Sequence, residues 1–593
     1  MTESDGYQGP LQGLTVIDFG HYYAGPMAGM LLADQGATVI RIVKPGDREL
    51  PVQQYRLLNR NKNLLEINLK TKEGHSQALS LIERADVVIE NFRPGVMKHL
   101  GLDYTRVKVN NPGLVYLSLP GFASTDKERA HIQAWEGVLG AACGLYTDTS
   151  LVRVLLDYPP VYSWVPLCST YGASHGAIAV MAALLAREEN GQGTVIEVPL
   201  VEAGISAFGG SFVHAWVVDR PWLPRPLGTE KAREKHEVWE AQKANRFSPE
   251  GSSTERLRKL SNAHRAFFSP PVFRFYRCAD GRQVLLWAAS GPKYGVGLFK
   301  GLGIYQQLLD EGFVTGDSGQ GNSLTGLLNP KWGARLIEIM SEKFLAKSAE
   351  EWETLLGETT LIAMLRTRDE WLALLPLLES RLNVQMDNGD SSLTVPGRFS
   401  NISGPDRAVV EEYREAEPIT VAQANKLLNA QAIENRTQIK RPPLKKGDLL
   451  KHLKVLDLSN VVAGPTASYT LAQYGAQVIK ADPPNMMLGP LAPIMTLEVG
   501  QGKRSILVDI KTEPGRDVFH RLVSWADVVL HNSLDDVAKR LGITQEQLQV
   551  INPNVVSCQI SCFGGAHRGG WELRPGLDPI PQTATGLMAH FGT

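Results

Sequence analysis

Residues 14–42 read LTVIDFGHYYAGPMAGMLLADQGATVIRI, and residues 453–481 read LKVLDLSNVVAGPTASYTLAQYGAQVIKA. A chain that says nearly the same thing twice must fold as two copies of one unit. The correspondence continues in order. NRNKNLLEINLKTKEG (59–74) matches GQGKRSILVDIKTEPG (500–515), and ADVVIENFRPG (85–95) matches ADVVLHNSLDD (526–536). NPGLVYLSLPGF (111–122) matches NPNVVSCQISCFG (552–564). A repeat this long is a duplicated domain rather than a solenoid.

Each copy predicts an α/β unit. TVIDF is a short apolar strand. Helical spacing follows, with Pro26 near its start, where a missing N–H costs nothing. Gly36 closes the helix and ATVIRI is the next strand. ALSLIERA is helical, and ADVVIEN and GLVYLSL are strands. Strands separated by helices predict a doubly wound parallel sheet. Past residue 220 the pattern changes. Residues 221–265 are charged and Pro-bearing, and VFRFYRCADGRQVLLWAAS predicts an antiparallel hairpin turning at Ala279-Asp280-Gly281. Helices follow, SAEEWETLL (348–356) among them, and the polar run RTQIKRPPLKKGD leads into the second copy.

Composition excludes several classes. Lys+Arg 61 against Asp+Glu 62 leaves no electrostatic case for nucleic acid or an anionic membrane. No apolar run reaches the roughly 18–20 residues of a membrane span, and the polar start MTESDGYQGP is no secretory signal. A cytoplasmic location is therefore expected. The five cysteines, Cys143, Cys168, Cys278, Cys558 and Cys562, form no CxxC pair, so they read as reduced thiols and no metal is expected. A dinucleotide fingerprint is absent: residues 24–29 are AGPMAG and 463–468 are AGPTAS, so NAD is not expected either.

The constellation LTVIDF…AGP…GA-VI, then NK…L-K, then ADVVIENFRPGVMKHLGLDY, resembles the class III CoA-transferases, the formyl-CoA and carnitine-CoA transferase group. ENFRPG followed by Leu-Gly is a specific signature of that family. The resemblance implies a fold with a large doubly wound domain and a smaller α+β domain, duplicated here with the second copy incomplete. On that basis 11–220 is the large domain of copy one, 221–375 its small domain and 376–435 the segment returning to the large domain. Residues 436–449 are the linker and 450–593 the first part of a second large domain. The expected co-substrate is coenzyme A as an acyl-CoA, with a small carboxylic acid as partner. The two copies are expected to pair within the chain, and the protein could also form a homo-oligomer.

The residues independently support an anion site. Helix N-termini beside Gly-Pro turns present free N–H groups. Asn91-Phe92-Arg93 offers an amide, a flat apolar face and a guanidinium, a set suited to an adenine and phosphates. Alternatively Arg93 caps a surface helix and Phe92 is core. In copy two, Asn532 persists while Phe-Arg-Pro-Gly becomes Ser533-Leu534-Asp535-Asp536. Arg540 supplies a cation where copy one has His99, and Lys503-Arg504 stand where copy one has Lys62-Asn63. The family resemblance then implies as CoA residues Val462, Ala463, Lys503, Arg504, Val508, Lys511, Asn532, Arg540 and Asp578, with Lys44, Lys62, Asn91, Phe92 and Arg93 as the corresponding set of copy one.

The family's chemistry requires an aspartate that attacks the acyl-CoA thioester, forming a mixed anhydride and then an enzyme thioester. Counting back from Gly191-Gln192-Gly193 along the preceding helix puts Ser169 at that position in copy one. Ser169 has no evident base beside it and reads as a helix cap. The equivalent position in copy two falls after Thr593, so the expected nucleophile lies beyond the chain's end, and the chain reads as the N-terminal portion of a longer fused protein. The other reading is a short homologue with a vestigial second copy. Among residues present, Glu136 and its counterpart Asp578 are the remaining catalytic carboxylates to consider. A fused pair with an inert first half most resembles the members that move CoA from acetyl-CoA to dimethylsulfoniopropionate and release dimethyl sulfide. Trp135, Trp164 and Tyr171 are candidates to hold that cation. The alternatives are transfer to another acid such as carnitine, a non-catalytic CoA-binding scaffold, and an acyl-CoA racemase. Racemase relatives carry a His before the acid at the Glu136/Asp578 position, where this chain has Trp135 and Leu577.

Overall fold

The computed structural model describes residues 9–46, 52–146, 162–163, 165–208, 271–288, 292–313, 330–374, 383–385, 391–393, 414–430, 449–484, 499–563, 571 and 573–591. In copy one the strands are β1 (Thr15–Asp18), β2 (Thr38–Val43), β3 (Lys62–Glu66), β4 (Val87–Glu90), β5 (Val115–Ser118) and β6 (Val195–Glu197). The later strands before copy two are β7 (Phe273–Arg277), β8 (Gln283–Trp287), β9 (Ile362–Met364), β10 (Asn383–Gln385), β11 (Ser391–Leu393) and β12 (Glu417–Pro418). The first sheet has the order β12-β3-β2-β1-β4-β5-β6 and every pairing in it is parallel. Its central strands are apolar on both faces, as a sheet covered on both sides requires. Val16, Val39, Val87 and Val115 face one core; Ile17, Ile40, Val88 and Tyr116 face the other.

Helices cover both faces. They are α1 (Ala24–Ala33), α2 (Lys72–Ile82), α3 (Glu136–Ala142), α4 (Leu167–Asn190) and α5 (Leu200–Phe208). Gly36 follows α1 at φ +95°, where only glycine sits without strain, and Gly475 repeats this at +97°. α4 is long and apolar enough to cross a membrane by length and composition, yet 61% of its most apolar window is buried inside the protein. Its small residues let it press onto the sheet: a Cβ on Gly176 would sit 2.9 Å from the Leu117 side chain. On the opposite face, α2 is joined by a helix from far along the chain, whose Ala424 and Leu428 enter the same core.

The hairpin expected around Ala279-Asp280-Gly281 is β7–β8, with Arg277 opposite Gln283, and β9 extends it antiparallel. Its core includes Phe299, Phe344 and Trp352, the last on α6 (Ala349–Leu356), whose start is fixed by a Ser348–Glu351 capping box. β12 leads into α7 (Val421–Ala430), and β12 adds to the edge of β3 through Glu417↔Asn63. The charged run 221–265 lies outside the described residues, as does the linker apart from Leu449.

Copy two repeats the sheet with β13 (Lys454–Asp457), β14 (Gln477–Asp482), β15 (Arg504–Leu507), β16 (Val528–His531) and β17 (Val556–Gln559). Their order is β15-β14-β13-β16-β17, again all parallel. Its helices include α8 (Ala463–Gln473), α9 (Glu513–Trp525), α10 (Asp535–Leu541) and α11 (Pro579–Ala584). Among the described residues the copies meet at the back of α4 and at β9. Ala182 of α4 packs with Leu450, Val455, Ala476 and Val478, beside a His452–Glu189 contact of 2.8 Å. Trp571, Ile580 and Ala584 of copy two pack on Leu361 and Ala363 of β9 and its approach. There Glu353 accepts from Arg366 on both oxygens and lies 3.5 Å from Arg574, whose guanidinium stands 4.0 Å from the Trp571 ring centre.

Candidate functional site at the strand crossovers

The order of strands reverses across the parallel sheet between β1 and β4 in copy one, and between β13 and β16 in copy two. Such a switch point opens a crevice at the carboxyl ends of the strands, where α/β proteins bind ligands. In copy one the loop leaving β1 is held by Asn91, which accepts from His21 N at 2.7 Å and donates to His21 O at 2.9 Å. Copy two builds the same clamp: Asn532 accepts from Asn460 N and donates to Asn460 O. The next residue in each copy lies in the left-handed region, Tyr22 at φ +54° and Val461 at +70°. A β-branched residue there is a true outlier, and such strain concentrates at functional loops. No pattern in the sequence signalled it. Gly20 and Gly25 approach so closely that a Cβ on either would stand within 2.6 Å of the other's backbone.

The expected binding residues sort by exposure. Val462 is 46% exposed at the uncapped start of α8, with Ala463 exposed beside it. Arg504 and Lys511 are exposed and Val508 is half-buried. Arg540 is exposed on α10, 3.7 Å from Asp536. In copy one Lys44 is exposed, Arg93 donates to His131 O at 2.9 Å, and Phe92 packs on the core with its ring 4.8 Å from that of His21.

The lysines lie beneath the surface. Lys62 is fully buried, donating to Asp18 at 2.9 Å and to Pro26 O at 2.6 Å. Burial lowers its ammonium pKa to about 8. Lys503 repeats the arrangement with Asp457 at 3.0 Å and Pro465 O at 2.7 Å, and its side chain is only 2% exposed. Ser468 joins the copy-two pair, in the place where copy one has Gly29. Both lysines tie the helix start to the sheet, each bonded to a buried carboxylate and a carbonyl oxygen. Sequence alone does not distinguish a buried lysine from a surface one.

Ser169 also differs from expectation. It lies in the first turn of α4 but does not cap it. Glu136 does so from the start of α3: it accepts from Cys168 N at 2.8 Å, Ser169 N at 3.1 Å and Ser169 Oγ at 2.6 Å. A carboxylate thus stands beside Ser169 after all, taken up by three donors at a helix N-terminus. Next to it, Trp135 is 52% exposed and meets Tyr22 edge-on at 4.5 Å. Two residues past Ser169, Tyr171 is 38% exposed. Its hydroxyl is pushed upward by burial first and then by the charge of Asp578, which arrives from copy two. Asp578 is exposed and accepts from Gln582 at 2.6 Å. Trp164 lies outside the described residues.

One further pair went unread in the sequence. Glu90 and His531 end the equivalent strands β4 and β16, immediately before the clamping asparagines, and both are buried. Burial pushes Glu90 up to about 7, although it accepts from Phe92 N at 2.8 Å. Burial pushes His531 down to about 4. A charged residue closing an apolar strand in both copies was the available signal. Among the described residues, no group of three or more His, Cys, Asp or Glu is arranged to hold a metal.

Comparison with known proteins gives a consistent result. CoA-transferase family III matches residues 11–243 and 450–593. The CoA-transferase/lyase DddD of Marinomonas sp. (strain MWYL1) is 36% identical over 601 residues, covering 98% of this chain and 69% of that protein. The formyl-CoA:oxalate CoA-transferase of Escherichia coli (strain SMS-3-5 / SECEC) is 34% identical over 205 residues, which span 33% of this chain and 48% of that enzyme. The crystal structure of Rv3272 from M. tuberculosis superposes with a TM-score of 0.51 at 23% identity, over 71% of this chain and 99% of that one, a likeness of fold alone.

Proposed function

The chain belongs to CoA-transferase family III, a family of enzymes that use CoA thioesters, and on that premise we propose that it serves CoA transfer from acetyl-CoA to dimethylsulfoniopropionate, with release of dimethyl sulfide. The observation that carries this reading is similarity to a CoA-transferase/lyase along 98% of the chain, across both copies rather than one. The transfer runs through an aspartyl anhydride and an enzyme thioester. Ser169, tied to Glu136, has no carboxylate of its own to form that anhydride, so copy one acts as a wall of the site. CoA lies at the copy-two crossover, where the exposed start of α8, Arg504, Lys511 and Arg540 supply N–H groups and cations for its phosphates. Once the acceptor is a thioester, its α-proton is acidified and the β-sulfonium is a good leaving group. Trp135 and Tyr171 of copy one offer aromatic faces to the cation, and Asp578 adds a negative charge near Tyr171.

Offer acetyl-CoA as donor with dimethylsulfoniopropionate, carnitine, oxalate or succinate, and follow acetate and dimethyl sulfide. The onium acids, dimethylsulfoniopropionate first, are expected to lead. Preference for either dicarboxylate would remove the cation reading. Isotope exchange between free acetate and acetyl-CoA separates a transferase from a CoA-binding scaffold, which shows none.

A further inference from the structure

Two thiols lie behind the Glu136–Ser169 contact. Cys143 follows the last turn of α3 and Cys168 stands in the first turn of α4, with their sulfurs 3.8 Å apart. Both are buried, at 4% and 0% exposure. A third element leaves room for them. A Cβ on Gly204 of α5 would stand 2.4 Å from the Cys168 sulfur and 3.2 Å from that of Cys143. Cys168 donates its own N–H to Glu136, so anything that moves this sulfur acts on the carboxylate's grip on α4.

We propose that Cys143 and Cys168 are a redox site that closes to an intramolecular disulfide under a hydroperoxide. The Cys143 thiolate attacks the peroxide oxygen, giving a sulfenic acid and one molecule of water or alcohol. The Cys168 sulfur then attacks the sulfenic sulfur and a second water leaves. Two thiols are oxidised by two electrons and the peroxide is reduced. Cys143 is suited to be the attacking thiol, since the contact with Cys168 favours its thiolate. A disulfide needs sulfurs about 2.05 Å apart, so the end of α3 and the first turn of α4 must draw together. That movement falls on the bonds from Cys168 N and Ser169 N to Glu136. Oxidation thereby loosens the cap of α4 at the rim that carries Trp135 and Tyr171.

The test uses the whole chain in its native state. Treat it with hydrogen peroxide, block remaining thiols with iodoacetamide, and map peptides without reduction. The expected product is a Cys143–Cys168 cross-link, two hydrogens lighter and reversed by dithiothreitol, with amide exchange at 168–169 raised severalfold. The Cys143→Ser variant should lose the cross-link, and Gly204→Ala, which crowds the sulfurs, should suppress it. If Cys562 oxidises while Cys143 and Cys168 both remain alkylatable after unfolding, the redox site is disproved. A cross-link that leaves exchange at 168–169 unchanged overturns the coupling to Glu136. Wild-type mass and mapping decide the first point even where a variant fails to fold.

Discussion

Glu90 and His531 hold one position in the two copies, and burial moves their protons in opposite directions. Glu90 rises from 4.5 to about 7. Between those values the folded form binds the proton that the unfolded chain has released, so copy one loses stability as pH rises through this window. His531 falls from 6.5 to about 4. There the unfolded chain binds more protons, so copy two gains stability as pH rises. Each contribution is on the order of 3 kcal/mol. Acidification from pH 6.5 to 4.5 is therefore expected to loosen copy two while tightening copy one, as read by segment-resolved amide exchange corrected for intrinsic rates. Glu90→Gln should flatten the copy-one response alone. At the same scale, Lys503→Ala leaves Asp457 buried without its cation and should cost roughly 3–5 kcal/mol, measured by denaturation. Arg504→Ala, on an exposed side chain, should leave stability nearly unchanged and weaken acyl-CoA binding. Equal loss of stability in both would contradict the buried-pair assignment.

At the level of elements, the cap of α4 gives a direct prediction. Glu136→Ala releases three donors at a helix start and should cost about 1–2 kcal/mol, whereas Glu136→Gln keeps an acceptor oxygen and should cost less. Val461→Gly relieves a β-branched residue at φ +70° and should hold or raise the melting temperature. The same change at Val462, whose φ is −124°, has no such strain to relieve and should lower it. Much of this architecture was readable because its signals are local. The short apolar strands, Gly36 and Gly475 after their helices, and the Ala279-Asp280-Gly281 turn each depend on a few neighbouring residues. The site was less readable because its contacts are not local. Glu136 reaches Ser169 across 33 positions, Lys62 reaches Asp18 across 44, and Asp578 approaches Tyr171 from the other copy. No periodicity encodes which lysine goes under a helix. Asn91 and Asn532 are expected CoA residues, and the sequence does not show that the side-chain oxygen and nitrogen of each are bonded to backbone.

Across the whole molecule the two sheets differ in cover. Among the described residues copy one has seven paired strands, with β6 beyond β5 and β12 beyond β3, and copy two has five. Val115 on β5 is fully buried, while its counterpart Val556 on β17 is 59% exposed, and Leu507 on β15 is 61% exposed. Apolar side chains on open strand edges invite association. β15 and β17 should exchange amide hydrogens faster than β3 and β5, and concentration-dependent sedimentation should reveal self-association that Val556→Lys reduces. Equal protection in the two sheets would contradict this reading.

The junction of Glu353, Arg366, Arg574 and Trp571 joins segments made far apart in time. At about 5–20 residues per second, the ribosome delivers Trp571 tens of seconds after Glu353 has emerged. For that interval Leu361 and Ala363 lack Trp571, Ile580 and Ala584, the copy-two part of their cover, so holding that surface apart from other chains is a task for the cell before it is one for the finished fold. Copy one can assemble its sheet during the wait and offer copy two a formed surface to settle on. The order of synthesis thus supplies a direction that the symmetry of the repeat lacks.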